Sequence, residues 1–193
     1  TGGGGGTGNA DPTSGATGAN VFGVNLSGNH STSITGPHYL TTGAVDLSLY
    51  TKTRLRFKRW LNTNSLTNSR VTVEVTKDGT NWREVYVNPG SAVTDSAWQT
   101  LEYDISSIAD LQSAVQVRWS YQVIVANAYS GWNIDDVEFL GESTNSFTIN
   151  SASNATEGDA PVTATLTMSI AQASPLTVTL ASSDPTAATV PAT

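Results

Sequence analysis

The chain has 193 residues, no cysteine and a formal charge of −7 at pH 7, and only 13% of its side chains are charged. So acidic a balance argues against nucleic acid or an anionic membrane surface as partner, because both call for clustered Lys and Arg. No run of about 18 apolar residues is present to span a bilayer.

The first stretch, residues 1–20, is rich in Gly, Ser and Thr and nearly devoid of apolar side chains. It reads as a flexible linker that cannot offset the entropy of its own ordering. From Val21 the texture changes to short strands and turns. VFGVNL forms a first strand and HYLTTGAVDLS carries a second. In TRLRFKRWL, Leu55 and Phe57 alternate with Arg54, Arg56, Lys58 and Trp60, which predicts one core face and one solvent face. RVTVEVT repeats the pattern, with Val71, Val73 and Val75 inward. Asp78-Gly79 then stands between two alternating runs and predicts a two-residue hairpin, whose turn positions both need positive φ. WREVYV is the return strand, and WQTLEYDIS, AVQVRWSYQVIV and GWNIDDVEFLG supply the last three. Only Ile105–Leu111 suits a helix, of about two turns at most.

Roughly eight strands, with no helix long enough for a parallel crossover, predict an all-β antiparallel sandwich over residues 21–141. The polar hinge GESTNS follows. Residues 142–193 contain no Trp or Tyr and hold two or three further strands, which reads as a partial Ig-like β-domain.

Nothing in the spacing supports catalysis. His30 and His38 lie in polar stretches, and neither G-x-S-x-G nor H-E-x-x-H occurs. Asp135 and Asp136 are strand neighbours, expected on opposite faces and so unable to act on one bond. Binding is better served. Most basic residues fall between Lys52 and Arg59. Arg56, Lys58 and Trp60, with Arg118 and Glu74 brought alongside, make a candidate face for an acidic or sulfated sugar. An indole stacks on the ring's C–H face while a guanidinium forks onto carboxylate or sulfate. The same residues equally suit cross-strand ion pairing on a solvated sheet. Tyr121 and Tyr129, with the loop Asn-Ala-Tyr-Ser-Gly-Trp, form an aromatic cluster that either contacts a sugar or plugs the sandwich's end. Trp82 reads as packing at the hairpin's edge, and Trp98, Trp119 and Trp132 as buried.

As a set, FGVNLSGNH, HYLTTGAVDLS, LRFKRWLN, VEVTKDGTNWREVYVNPGSAVTDSAWQTLEYDIS and GWNIDDVEFLG resemble a jelly-roll module of large exported bacterial proteins. That module is related in pattern to MAM domains and to accessory domains of secreted metallopeptidases. The tail, with NATEGDAPVTATLTMS and SSDPTAATVPAT, is similar to the front half of a Calx-beta-like or other Ig-like repeat of adhesins. The resemblance implies a jelly-roll sandwich in a secreted or cell-surface protein, binding a polysaccharide or cell-surface glycan beside neighbouring domains of the same long chain. Three alternatives stay open: a spacer without ligand, an accessory domain of a secreted peptidase or glycan-degrading enzyme, and a strand-sharing filament subunit. It also implies a structural Ca²⁺ anchored by Asp135 or Asp136. Calcium takes six to eight oxygens, and Asp11, Asn25 and Asn29 are placed to add to them, pinning the N-terminal segment to the sheet.

Overall fold

The computed structural model describes residues 8–26, 28–33, 35–151, 156, 160, 162–171, 177–186 and 189. It divides into two compact units, Thr1–Ser143 and Thr144–Thr193.

The first unit runs β1 (Phe22–Gly23), β2 (His38–Thr41), β3 (Tyr50–Thr63), β4 (Ser69–Thr76), β5 (Arg83–Val87), β6 (Val93–Thr94) and β7 (Gln99–Asp104). A single helical turn, α1 (Ser106–Ala109), precedes β8 (Gln116–Val123) and β9 (Gly131–Ser143). β1 pairs with β9, β2 with β8, β3 with β7 and β4 with β5, all antiparallel. That nesting is one long hairpin wound back on itself, the jelly-roll arrangement. It yields one sheet ordered β1-β9-β3-β7, extended along β3 by β6, and a second ordered β2-β8-β4-β5.

Strand alternation fills the space between the sheets. Leu55, Phe57 and Leu61 of β3 face Val71, Val73 and Val75 of β4, with Val117, Trp119 and Tyr121 of β8 and Trp132 and Ile134 of β9, all buried. Phe57 meets Trp119 edge-on at 5.4 Å between ring centroids. Each such side chain contributes about 1.5–3 kcal/mol by leaving water.

Arg59 shares the inward parity of Leu55, Phe57 and Leu61, and Asp95 neutralises it there. Nε donates to Oδ2 at 2.8 Å and Nη2 to Oδ1 at 3.0 Å, while the Leu61 amide donates to the same carboxylate at 2.9 Å. Buried charges persist only when paired and hydrogen-bonded like this.

Three expectations change. β4 and β5 are joined by a longer loop, with Val75 opposite Arg83, so Asp78-Gly79 is not a two-residue hairpin. Gly79 takes φ +73°. The Asp78 side chain accepts from the Thr80 and Asn81 amides and from Asn81 Nδ2, an Asx-type closure. The donors from Asn81, with those of Thr80 and Thr76, hold its carboxyl far below the usual range.

Second, Asp135 and Asp136 do not diverge. Lys58 lies opposite Asp135 and Arg56 opposite Glu138, so β9 carries an extra residue, and Asp136 sits there at φ +47°. A bulge of this kind re-aims a side chain. Both carboxylates therefore meet the same incoming segment.

Third, that segment is not a free linker. Residues 1–7 lie outside the described residues, but 8–20 are fastened to the sheet edge. Asn9 N donates to Asn62 Oδ1, Trp60 Nε1 to the Ala10 carbonyl and Ser130 Oγ to the Asn9 carbonyl. Ala16 N donates to Asp135 Oδ2 and Thr17 Oγ1 to Asp136 Oδ1. Polar side chains of the strands supply the anchorage that apolar contacts give elsewhere.

In the second unit, β10 (Phe147–Asn150) pairs antiparallel with β11 (Thr165–Met168). The strand expected in LTVTL is not formed over the described residues 177–180, and the rest of the expected strand content runs into residues outside the described ones.

Candidate functional site

The outer face of the β2-β8-β4-β5 sheet carries the most organised surface group. Register sets Thr41 and Glu74 on either side of Arg118, and Tyr39 and Thr72 on either side of Ser120. Arg118 Nε donates to Glu74 Oε2 at 2.5 Å. The guanidinium carbon also lies 4.1 Å from the Tyr39 ring centre and 4.1 Å from that of Trp82. Arginine is favoured at such sites because its flat, weakly hydrated cation both stacks and forks. Tyr39 remains 46% exposed. Thr72 and Ser120 share a hydroxyl hydrogen bond of 2.6 Å, and Arg70 pairs with Glu84. The result is a strip of two rings and a clasped guanidinium, with the Thr72–Ser120 hydroxyl pair buried beneath it.

This placement corrects two readings. Arg118 belongs to the opposite sheet from Arg56, Lys58 and Trp60, so no common face joins them. Trp82 is surface stacking beside the β4–β5 loop and not merely packing. Its signal was its position just after the loop that delivers it over β8's outward parity, which sequence alternation alone leaves unassigned.

On the outer face of the β1-β9-β3-β7 sheet the cations are closed by acids. Arg54 pairs with Glu102 at 3.0 Å, Arg56 with Glu138 at 2.8 Å and Lys52 with Glu142 at 2.9 Å. The Arg56 guanidinium is held further toward its charged form by the hydrogen bond and charge of Glu138. Lys58 donates to Thr100 Oγ1 at 2.7 Å. Trp60 lies edge-on to the half-buried Trp98 at 5.9 Å, its indole N–H spent on the Ala10 carbonyl. Of the two readings available for this strand, the ion-paired lattice describes the arrangement.

Tyr121 and Tyr129 are 1% and 5% exposed, which removes both as stacking faces for a ligand. They close the end of the sandwich. The Tyr121 hydroxyl bridges Thr63 Oγ1 at 3.0 Å and His30 Nε2 at 2.9 Å, and burial pushes its phenol up to about 12. His30 is buried too, not in an open loop, and burial lowers its imidazole below the ordinary value.

Asp11 is buried where the N-terminal segment meets β9. Its carboxylate accepts from Asn133 Nδ2 at 3.0 Å and from the Gly28 amide at 3.2 Å, and no ion pair reaches it among the described residues. Asn133 Oδ1 is buried without a hydrogen-bond partner. Asn25 Nδ2 donates to the Asn29 carbonyl at 2.8 Å in the adjoining loop. Asp135 and Asp136 stand apart from this pocket of oxygens, committed to Ala16 and Thr17. No group of three His, Cys, Asp or Glu side chains converges among the described residues.

A slot of about 410 Å³ opens between the edge strands β1 and β2, lined by Phe22, Val24, His38, Leu40, Trp119 and Trp132 among others. Trp119 Nε1 is buried there without an acceptor.

No helix among the described residues is long and apolar enough to cross a membrane. No protein-family model matches the chain, and no curated protein matches it. Among solved structures it is similar to a CBM4 structure, with a TM-score of 0.36 and 18% identity over 54% of this chain and 73% of that one. It is similar to TmCBM61 in complex with β-1,4-galactotriose, with a TM-score of 0.33 and 15% identity over 55% and 62%. A mutant of Xylanase10C from Cellvibrio japonicus, in complex with xylopentaose, matches with a TM-score of 0.33 and 11% identity over 58% and 22%.

Proposed function

We propose that the first unit is a non-catalytic carbohydrate-binding module of an exported multidomain protein, and that it binds a polysaccharide on the outer face of the β2-β8-β4-β5 sheet. The observation that carries this is the Tyr39–Arg118–Trp82 stack beside Glu74. Aromatic rings fixed by a guanidinium lose little freedom on binding, and low ordering cost favours affinity. Sugar C–H faces suit such rings, while the Thr41 hydroxyl and the Gln122 amide beside them can exchange hydrogen bonds with sugar hydroxyls. The acidic, Lys-poor composition supports export. The test is affinity electrophoresis of the chain through gels containing different polysaccharides, with Trp82→Ala and Tyr39→Ala alongside. Retardation by one polymer, lost in both variants while circular dichroism stays unchanged, is the expected result. Retardation by none of a broad panel would end this reading.

A calcium ion fits the Asp11 pocket better than it fits Asp135 or Asp136. A buried carboxylate lacking a cation next to an orphaned amide oxygen is the donor chemistry a hard cation takes. A half-turn of the Asn133 amide presents its oxygen to the same side as Asp11. When bound, the ion would neutralise Asp11 and cross-link the N-terminal segment to β9. Asp11 and Asn133 would hold it, with Asn25 and Asn29 contributing from the loop. A thermal melt in EDTA and then in Ca²⁺ checks this, since a ligand of the native state raises Tm. The rise should be present in the natural chain and absent in Asp11→Asn.

A further inference from the structure

Resting on that reading, we infer that the face takes an uncharged polysaccharide, because its own glutamates already consume its arginines. Anions are recognised by guanidinium forks that present two N–H groups side by side. On Arg118 the Nε side of that fork is held by Glu74, and the guanidinium carbon lies 4.1 Å from the ring centres of both Tyr39 and Trp82. A ligand carboxylate or sulfate would have to displace Glu74. That side chain is only 16% exposed, and it would be left charged and unpaired beside the newcomer.

Arg70 is equally committed, its Nη2 held by Glu84. The four charges along the strip therefore cancel in two pairs. What remains outward is neutral: Thr41 beside Arg118, and Gln122 with its amide nitrogen on the Thr35 carbonyl, while the Thr72–Ser120 hydroxyl pair is buried beneath them. Hydroxyls and amides both donate and accept, which matches sugar hydroxyls and gives an anion no preference. Arg83, at the start of β5, and Lys77, in the β4–β5 loop, are two exposed cations near the strip, and both lie outside its two ion pairs. At longer range the chain's net charge of −7 repels a polyanion during approach.

The experiment sets neutral polymers (mixed-linkage β-glucan, xylan, mannan, galactan) against anionic ones (polygalacturonate, alginate, chondroitin sulfate). The full chain is titrated calorimetrically with each at low and high salt. Binding to at least one neutral polymer is expected, with affinity changing less than about twofold across the salt range, since no phosphate-like counterion exchange is involved. None of the anionic polymers should bind. Glu74→Gln frees Arg118 and should add salt-sensitive binding of an anionic polymer, while Trp82→Ala should weaken the neutral one by about tenfold or more. Salt-sensitive binding of an anionic polymer by the natural chain, with no neutral binding and with loss in Trp82→Ala, would overturn the inference and leave the module reading standing. Binding to neither class removes both.

Discussion

On β3, Arg54 and Arg56 each meet a glutamate of a flanking strand, and Trp60 turns its indole toward the N-terminal segment. On β8, Arg118 also meets a glutamate, yet its guanidinium lies against the rings of Tyr39 and Trp82. Both sheet faces thus combine arginine, acid and tryptophan. On the second the arginine lies against both rings, whereas on the first the arginines meet acids and the half-buried Trp60 and Trp98 meet each other. A count of cations along a strand is therefore a poor guide to recognition. The residues set across from them, strand by strand, decide whether the charge is a ligand contact or part of the wall.

The comparison can be broken or sharpened by substitution, and depth should rank the effects. Asp95→Ala strands Arg59 beneath the β3 face, so it should cost about 3–5 kcal/mol, read by urea unfolding. A cost near zero would show that Arg59 escapes to solvent. Arg118→Ala should cost about 1–2 kcal/mol, through the lost ring stacking and an unpaired Glu74. Acid should act through the buried His30. Burial lowers His30, so the unfolded chain takes up its proton at a higher pH than the folded one. Stability is then intact above the ordinary imidazole value of about 6.5 and falls as pH drops below it. His30→Asn should flatten the slope in thermal melts. Smallest of all, Arg56→Ala should leave Tm unchanged, because a solvated cross-strand pair is screened. A clear fall in Tm would make the β3 face structural in a way its exposure does not suggest.

Much of the fold is legible in the residues. Leu55 and Phe57 against Arg54 and Arg56 give β3 its sidedness, and Val71, Val73 and Val75 do the same for β4. Arg59 shares the inward parity, but its partner Asp95 lies in a different stretch and is found only from the fold. Other features depend on contacts distant in sequence. Nothing local assigns Arg118 to a different sheet from Arg56, because sheet membership follows from the winding of the whole hairpin. Asp136 escapes alternation through a bulge, which appears only when β9 is laid against β3. Residues 8–20 look unable to order themselves, and on their own they are. Their order comes from Asn62, Ser130, Asp135 and Asp136. Of the Tyr39–Arg118–Trp82 group, the sequence reading names only Arg118, places it on the face of Arg56, and reads Trp82 as packing.

The anchoring of that segment has a mechanical consequence. The chain enters the first unit beside Ser130 and Asn133 and leaves it at Ser143, so entry and exit lie at opposite ends of β9. Tension drawn through the unit runs along β9, parallel to its thirteen residues and across the hydrogen bonds that join it to β3. Those bonds are loaded together in shear and cannot be peeled one at a time. A module held this way can stay folded while its two ends are pulled apart, as happens to any tether between a surface and a polymer that moves.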